Sequence, residues 1–251
     1  MKVDFAGFNG GDRTSIALPA VQTALMKKLK ATGKPVVFVM MTGSAIAIPW
    51  ENENIPAIVN GWYGGQSAGT AMADVLFGDY NPAGRLPVTF YKADSDLPDF
   101  NSYDMKGRTY RYFSGEALYP FGYGLSYTTF KYDMLKAPAT IAKGKNVVVN
   151  VKVTNTGKTD GEEVVQLYIS HQNKNLHVPI RALKGFKRIA LKAGESKMVE
   201  FNLTPDQLSL VNEKGELVEL KDKLVISVGG GQPDVKNKTS GNIVKTIVSI
   251  L

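Results

Sequence analysis

The sequence predicts an α/β layer followed by an all-β module, and three observations lead there. First, short continuous apolar runs such as Val36-Val37-Phe38-Val39-Met40-Met41 alternate with helical stripes up to about residue 130. Apolar runs of that length suit strands covered on both faces, as in a parallel sheet flanked by helices. Second, beyond residue 130 the apolar period switches to two and turn residues recur at short intervals. That pattern marks a β-sandwich. Third, 251 residues with 43% hydrophobic and 21% charged content are globular values, enough for two modest domains with cores of their own.

In chain order, residues 1–18 are rich in Gly and Asp around Gly10-Gly11-Asp12-Arg13 and read as a loop. Pro19 then suits the first turn of a helix whose Val21, Leu25 and Leu29 recur at i, i+4 and i+8. Lysines close that helix, and Gly33 falls where a left-handed cap is wanted. Residues 36–41 form a buried strand ended by Thr42-Gly43-Ser44, and residues 55–60 a second one. Residues 67–77 give a second helix and residues 86–91 a third strand. The unit β-α-β recurs. Residues 92–119 are a long excursion containing Gly107-Arg108-Thr109-Tyr110-Arg111-Tyr112-Phe113. Loops of this length in compact domains carry function or cross to a neighbour, and both readings stand: aromatic faces for a sugar, or packing on the next domain.

From Phe130 the alternation is explicit: Val147, Val149, Val151, Val153; Val165, Leu167, Ile169; Val199, Phe201, Leu203; Leu224, Ile226, Val228. Turns fall at Lys192-Ala193-Gly194, at residues 212–215 and at residues 229–233. Seven or so short strands in about a hundred residues predict a sandwich of the immunoglobulin or fibronectin III type. Residues 243–251 add a final strand or dock on a neighbour.

Charge and composition exclude several functions. Residues 1–130 hold 11 basic and 11 acidic side chains, so the net charge of +7 resides in residues 131–251. There the basic residues are lysines except for Arg181 and Arg188, spaced singly along alternating strands. Nucleic-acid surfaces cluster Arg and Lys with stacking aromatics, so this pattern reads as a solvated sheet face. The absence of cysteine removes disulfides, thiolate metal sites and cysteine nucleophiles. No apolar run approaches the roughly 20 residues that span a bilayer, and the start of the chain carries no signal-peptide pattern.

Gly65-Gln66-Ser67-Ala68-Gly69 matches G-x-S-x-G, the nucleophile elbow of serine hydrolases. A serine nucleophile needs a histidine base, and the two histidines, His171 and His177, fall in the all-β half. The motif is read as a turn and helix start. Both histidines are read as surface residues.

Residues 61–90, GWYGGQSAGTAMADVLFGDYNPAGRLPVTF, followed by YPFGYGLSYTTF at residues 119–130, resemble the second domain of family 3 glycoside hydrolases. The later run VTNTG, EEVVQLYIS, LKGFKRIALKAGES and FNLTPDQLS resembles the fibronectin III-like module that closes many bacterial members. The resemblance implies a three-layer α/β sandwich over residues 1–128, truncated at its N-terminus, and a fibronectin III-like (immunoglobulin-like) β-sandwich over residues 129–251. It also implies retaining hydrolysis by two carboxyl groups about 5 Å apart, with the nucleophilic aspartate on an N-terminal (β/α)8 barrel. Nothing here resembles that barrel, whose usual size is roughly 250 residues, so the nucleophile is expected upstream of Met1. In many members the acid/base glutamate lies shortly upstream of a Gly-Asp-Arg element that precedes a helix. Gly11-Asp12-Arg13 matches that element, yet the only carboxylate between Met1 and Gly11 is Asp4. The glutamate too is therefore expected upstream. Asp4, Asp12, Arg13 and Arg108 are the substrate-proximal candidates.

No cofactor is expected. Glu51 and Glu53, on one face of a strand, have no third ligand, and Asp94, Asp96 and Asp99 lack the spacing of a calcium loop. The reading is the C-terminal region of an exo-acting β-xylosidase or β-glucosidase, inactive by itself and partnered by the missing barrel and an oligosaccharide. The family's habit implies a periplasmic or secreted address. The alternative is a non-catalytic carbohydrate-binding or interaction module.

Overall fold

The computed structural model describes residues 8–9, 12–172, 178–233 and 241–251. The chain enters through a short antiparallel hairpin, β1 (Phe8–Asn9) against β2 (Asp12–Arg13), where the sequence reads as loop. Gly10 and Gly11 themselves, like Asp4, lie outside the described residues.

Helix α1 (Ala20–Ala31) ends where expected: the Thr32 and Gly33 amides donate to the Leu29 and Lys30 carbonyls, and Gly33 takes φ +72. The apolar stripe that predicts the helix lies open on it. Val21, Leu25 and Leu29 are 75%, 53% and 40% exposed, because α1 docks through another face. Thr23 donates to buried Glu51 at 2.6 Å, and Lys27 and Lys30 lie over the Trp50 ring. Glu51 and Glu53 sit on helix α2 (Pro49–Asn54), not on a strand. Pro49 in its first turn has the φ a helix needs and no amide to waste.

Strands β3 (Val37–Met40) and β4 (Ala57–Asn60) pair in parallel, Val37 opposite Ala57 and Met40 opposite Asn60. Phe38 and Met40 are buried while Val37 and Met41 are half exposed, so the double burial expected of this run is not met among the described residues. Helix α3 (Ala68–Phe77) follows. The segment expected as a third strand is extended but joins a different partner. Leu86 and Phe90 exchange backbone bonds with residues 119–123, as in the Leu86 amide to the Tyr123 carbonyl at 2.8 Å. Pro87 lacks the amide that a central strand requires. Phe38, Met40, Ile48, Ile55, Phe90 and Leu118 make the core of this half. A 3-10 turn at Asp94–Asp96 and the one-turn helix α4 (Thr109–Tyr112) punctuate the long excursion.

The second half is a β-sandwich. One sheet has the order β10-β7-β5, from β5 (Phe130–Lys136), β7 (Val147–Asn155) and β10 (Ser196–Leu203). The other has the order β6-β14-β13-β8-β9: β6 (Thr140–Ile141), β8 (Gly161–His171), β9 (Ala182–Leu191), β13 (Lys223–Gly229) and β14 (Ile243–Ile250). Helix α5 (Pro205–Leu208) and the hairpin of β11 (Leu210–Val211) with β12 (Leu217–Val218) lie between β10 and β13. All the alternating residues named from the sequence point into one core and are nearly fully buried. The last segment is a strand, β14, paired antiparallel to β13 and parallel to β6.

Strand β8 departs from simple alternation: Gln166, Leu167, Tyr168 and Ile169 are all buried. Its inner face meets the sandwich core and its outer face meets the α/β half. That covered face is where the two halves join.

Candidate functional site

In open parallel sheets, ligands bind beyond the carboxyl ends of the strands, where the connections diverge. Here those ends are residues 41–44 after β3 and residues 61–64 after β4. The hairpin β1–β2 delivers Arg13 to this edge, and its guanidinium donates to the Ser44 hydroxyl at 3.0 Å and twice to the Ser15 carbonyl. Ser15 donates in turn to Asp94 at 2.7 Å, and the Ile16 amide donates to the other Asp94 oxygen at 2.7 Å. These donors, with Arg13 nearby, hold the Asp94 carboxyl below the usual carboxylate range. A chain Arg13–Ser15–Asp94 thus runs along the strand ends and ties the root of the long excursion to the hairpin.

Two further features mark this edge. Trp62 adopts φ +51, a left-handed conformation that a bulky residue rarely takes and that concentrates at functional sites. Its ring is held edge-on to Phe90 at 6.1 Å. The side-chain amide nitrogen of Asn60, the last residue of β4, is shielded from solvent without a hydrogen-bond partner. Buried polar groups are normally paired, so an unpaired donor at a strand end calls for an explanation. Tyr63 stands exposed beside it, its ring close to Gly43.

The sequence candidates distribute unevenly. Arg13 sits at this edge. Asp12 is described only in its backbone, and Asp4 lies outside the described residues. Arg108 is turned inward on its own loop: its guanidinium donates to the carbonyls of Asp99, Ser102 and Asp104 at 2.6–2.9 Å. The far end of the excursion packs on the sandwich, with Tyr110 stacked on Phe121 at 4.2 Å and its hydroxyl accepting from the Leu183 amide.

Asp94 is occupied as above, Asp96 accepts from the Lys92 and Ala93 amides, and Asp99 from the Asn101 amide. Ser67 caps α3 at φ −93, well after β4 ends at Asn60, so it does not sit on a strained nucleophile elbow. His171 corrects the surface reading. Its side chain is 7% exposed and its Nδ1 faces Asp222 at 2.9 Å. Burial lowers its pKa despite that carboxylate, with Lys184 acting in the same direction. His177 lies outside the described residues.

The two motifs that carry the resemblance most strongly build the seam between the halves. Asn81 accepts from the Ser126 hydroxyl and the Tyr127 amide and donates to the Asp160 carbonyl. Arg85 meets Glu163 of β8 at 2.8 Å with both side chains buried, and Tyr132 donates to the second Glu163 oxygen at 2.7 Å. Gln166 donates to the carbonyls of Gly122 and Gly230, and Tyr168 donates to Gln166. Gly124 lies against the Gly84 carbonyl, where any side chain would collide. Sequence reasoning missed this role because its partners are some 45 to 80 residues apart.

Comparison with known proteins adds the following. The glycosyl hydrolase family 3 C-terminal domain matches residues 3–127, and the fibronectin type III-like domain matches residues 163–232. A xylan 1,4-beta-xylosidase of Xylanibacter ruminicola is 53% identical over 83% of this chain and 24% of its own length. A beta-xylosidase of Formosa agariphila is 42% identical over 94% of this chain and 34% of its own. A periplasmic beta-glucosidase of Salmonella typhimurium is 39% identical over 89% of this chain and 31% of its own. Among solved structures, a β-glucosidase from Erythrobacter marinus superposes with a TM-score of 0.84 at 35% identity, covering 99% of this chain and 32% of that one. The chain therefore spans a quarter to a third of the length of these relatives.

Proposed function

The chain belongs to glycosyl hydrolase family 3, as that family's C-terminal domain followed by a fibronectin type III-like domain, and on that premise we propose a role in β-glycoside hydrolysis. The whole protein is a retaining, exo-acting glycosidase that releases terminal non-reducing xylose or glucose from β-linked oligosaccharides. The two carboxyl groups of the reaction come from polypeptide preceding this chain, the nucleophile from a (β/α)8 barrel. This chain supplies one wall of the sugar site and buttresses it.

The observation that carries the reading is the family match over residues 3–127 combined with an arginine held at the strand ends of that same domain. Arg13 is the substrate-proximal residue best supported, because its guanidinium is fixed by Ser15 and Ser44 beside the strained Trp62 segment. Asp4 and Asp12 neighbour it in sequence. Arg108 acts as a positioning residue through the loop it clasps. The exposed apolar stripe of α1 and the half-exposed Val37 of β3 also fit a layer whose remaining elements precede this chain.

The xylosidase relatives at 53% and 42% identity favour xylose over glucose. The Salmonella relative favours a periplasmic address, and no helix among the described residues is long and apolar enough to cross a membrane. The test is hydrolysis of aryl β-xyloside and β-glucoside by the intact protein, with the anomer of the first-formed product read by NMR. A β-anomer and faster xyloside cleavage support the reading. No turnover of either glycoside, or an α-anomer, refutes it.

A further inference from the structure

The seam between the two halves carries an open cleft of about 510 Å³. That lies within the roughly 300–1,000 Å³ of small-molecule sites, which favour domain junctions. Its α/β wall is Asp79, Tyr80 and Asn81, just past the end of α3. Its sandwich wall comes from two turns: Asp160 and Glu162 between β7 and β8, and Lys192, Glu195 and Lys197 between β9 and β10.

Much of this lining is fixed from behind. Gly78 turns the chain at φ +88, and the Gly78 and Tyr80 amides both donate to the Asp74 carbonyl. The Tyr80 hydroxyl donates to Glu162 at 3.0 Å and accepts from Arg188 at 2.6 Å, while Arg188 also pairs with Glu162. The Asn81 amide is spent on Ser126, Tyr127 and Asp160. Glu195 accepts from the Lys192 amide and pairs with Lys197.

What is left over defines the ligand. The Asp79 carboxylate and the Lys192 ammonium have no hydrogen-bond partner among the described residues, and Asp160 spends one carboxylate oxygen on the Ala193 amide. Carboxylates only accept and an ammonium only donates. An anion here meets two carboxylates and a cation meets Lys192, whereas the hydroxyls of a neutral molecule serve all three groups. The described residues contain no metal-binding group of three His, Cys, Asp or Glu side chains. The Tyr80 ring, 43% exposed, adds an apolar body beside these polar groups, a partner for the C–H face of a pyranose.

We propose that this cleft binds a neutral stretch of β-linked xylose chain, with Asp79, Asp160 and Lys192 bonded to its hydroxyls and a sugar ring against Tyr80. The choice of xylose rests on the family reading of the whole protein.

The test is affinity electrophoresis of the intact protein in gels with and without soluble, neutral arabinoxylan. An exo-acting active site engages only chain ends, which are scarce in a polymer. Arabinoxylan should retard the wild type, and Tyr80→Ala and Asp79→Ala should each weaken that binding roughly tenfold with aryl β-xyloside hydrolysis unchanged. No retardation of the wild type, or equal retardation of wild type and both variants, overturns the proposal. Hydrolysis falling in step with retardation in both variants also overturns it, since the substitutions then act on the whole protein rather than on this cleft. Retardation abolished by EDTA overturns it too, because the occupant is then a cation. Retardation that depends on Tyr80 and Asp79 in a protein cleaving neither aryl glycoside supports the site and refutes the reading of the whole protein as a glycosidase.

Discussion

Removing the Glu163 carboxylate should uncouple the two halves of the chain. Glu163 is fully buried on β8, and Arg85, 5% exposed, reaches it from the opposite half at 2.8 Å. Tyr132 of β5 donates to its other oxygen, so one carboxylate serves both halves. Two charges taken out of water gain little net stability as a pair, but deleting one leaves the other buried without its counter-ion, at a cost of about 3–5 kcal/mol. Glu163→Ala is therefore expected to cost about that much. Glu163→Gln keeps the shape and an acceptor, loses the charge, and should cost roughly 2 kcal/mol. Both tryptophans, Trp50 and Trp62, lie in the α/β half, while the strands dominate the far-ultraviolet signal. In the wild type, tryptophan fluorescence and circular dichroism should follow one urea transition. In Glu163→Ala the fluorescence transition should fall by about 1–1.7 M urea, for a slope near 3 kcal/mol/M, and separate from the dichroism. A loss below about 1 kcal/mol with coincident transitions would refute the assignment of this pair as the link.

Three other outcomes follow from named contacts. Gly124→Ala places a methyl against the Gly84 carbonyl and the Arg85 side chain; a loss of about 1–3 kcal/mol is expected, and an unchanged Tm would contradict it. Arg108→Ala should leave the fold intact but raise amide exchange across residues 99–106 roughly fivefold, about 1 kcal/mol of local opening; unchanged exchange would remove Arg108 from its clasping role. His171 has a folded pKa below its unfolded value of 6.5, so its share of stability is present above pH 6.5 and is lost as pH falls from there through the folded pKa. Urea midpoints at pH 7.5 and 5 should therefore fall further for the wild type than for His171→Gln, and parallel falls would show that His171 does not titrate in this window.

The sandwich was readable because period-two alternation survives wherever one sheet face is buried and the other is wet. Val147 to Val153 obey that rule without exception, and Leu224, Ile226 and Val228 follow it on their inward face. Gln166 and Tyr168 do not, because their outward face is covered by the other half, while Glu163 keeps the inward parity of Val165 and Leu167; the polar identity of all three reads as exposure until the seam is seen. Helix ends were readable for local reasons, Gly33 above all. The exposed stripe of α1 was not, since periodicity states which face is apolar and not whether anything covers it. At the candidate site, Arg13 was visible through a short motif. Its bond to Ser44, the Ser15–Asp94 bond across 79 residues and the strained Trp62 backbone are products of tertiary contact, with no local signal. The segments around Asn81 and Gly122 stood out for their resemblance, and their structural role proved to be joining two domains rather than chemistry.

Hydrolysis of aryl β-xyloside by this chain, by itself and then mixed with the preceding polypeptide as a separate chain, bears most directly on the proposed division of labour. Silence from this chain and turnover on mixing is the expected result, because the proposal assigns the reacting carboxylates to the other part and the wall to this one. Turnover by this chain without a partner would contradict it, and would make Asp4 and Ser67 the first side chains to replace.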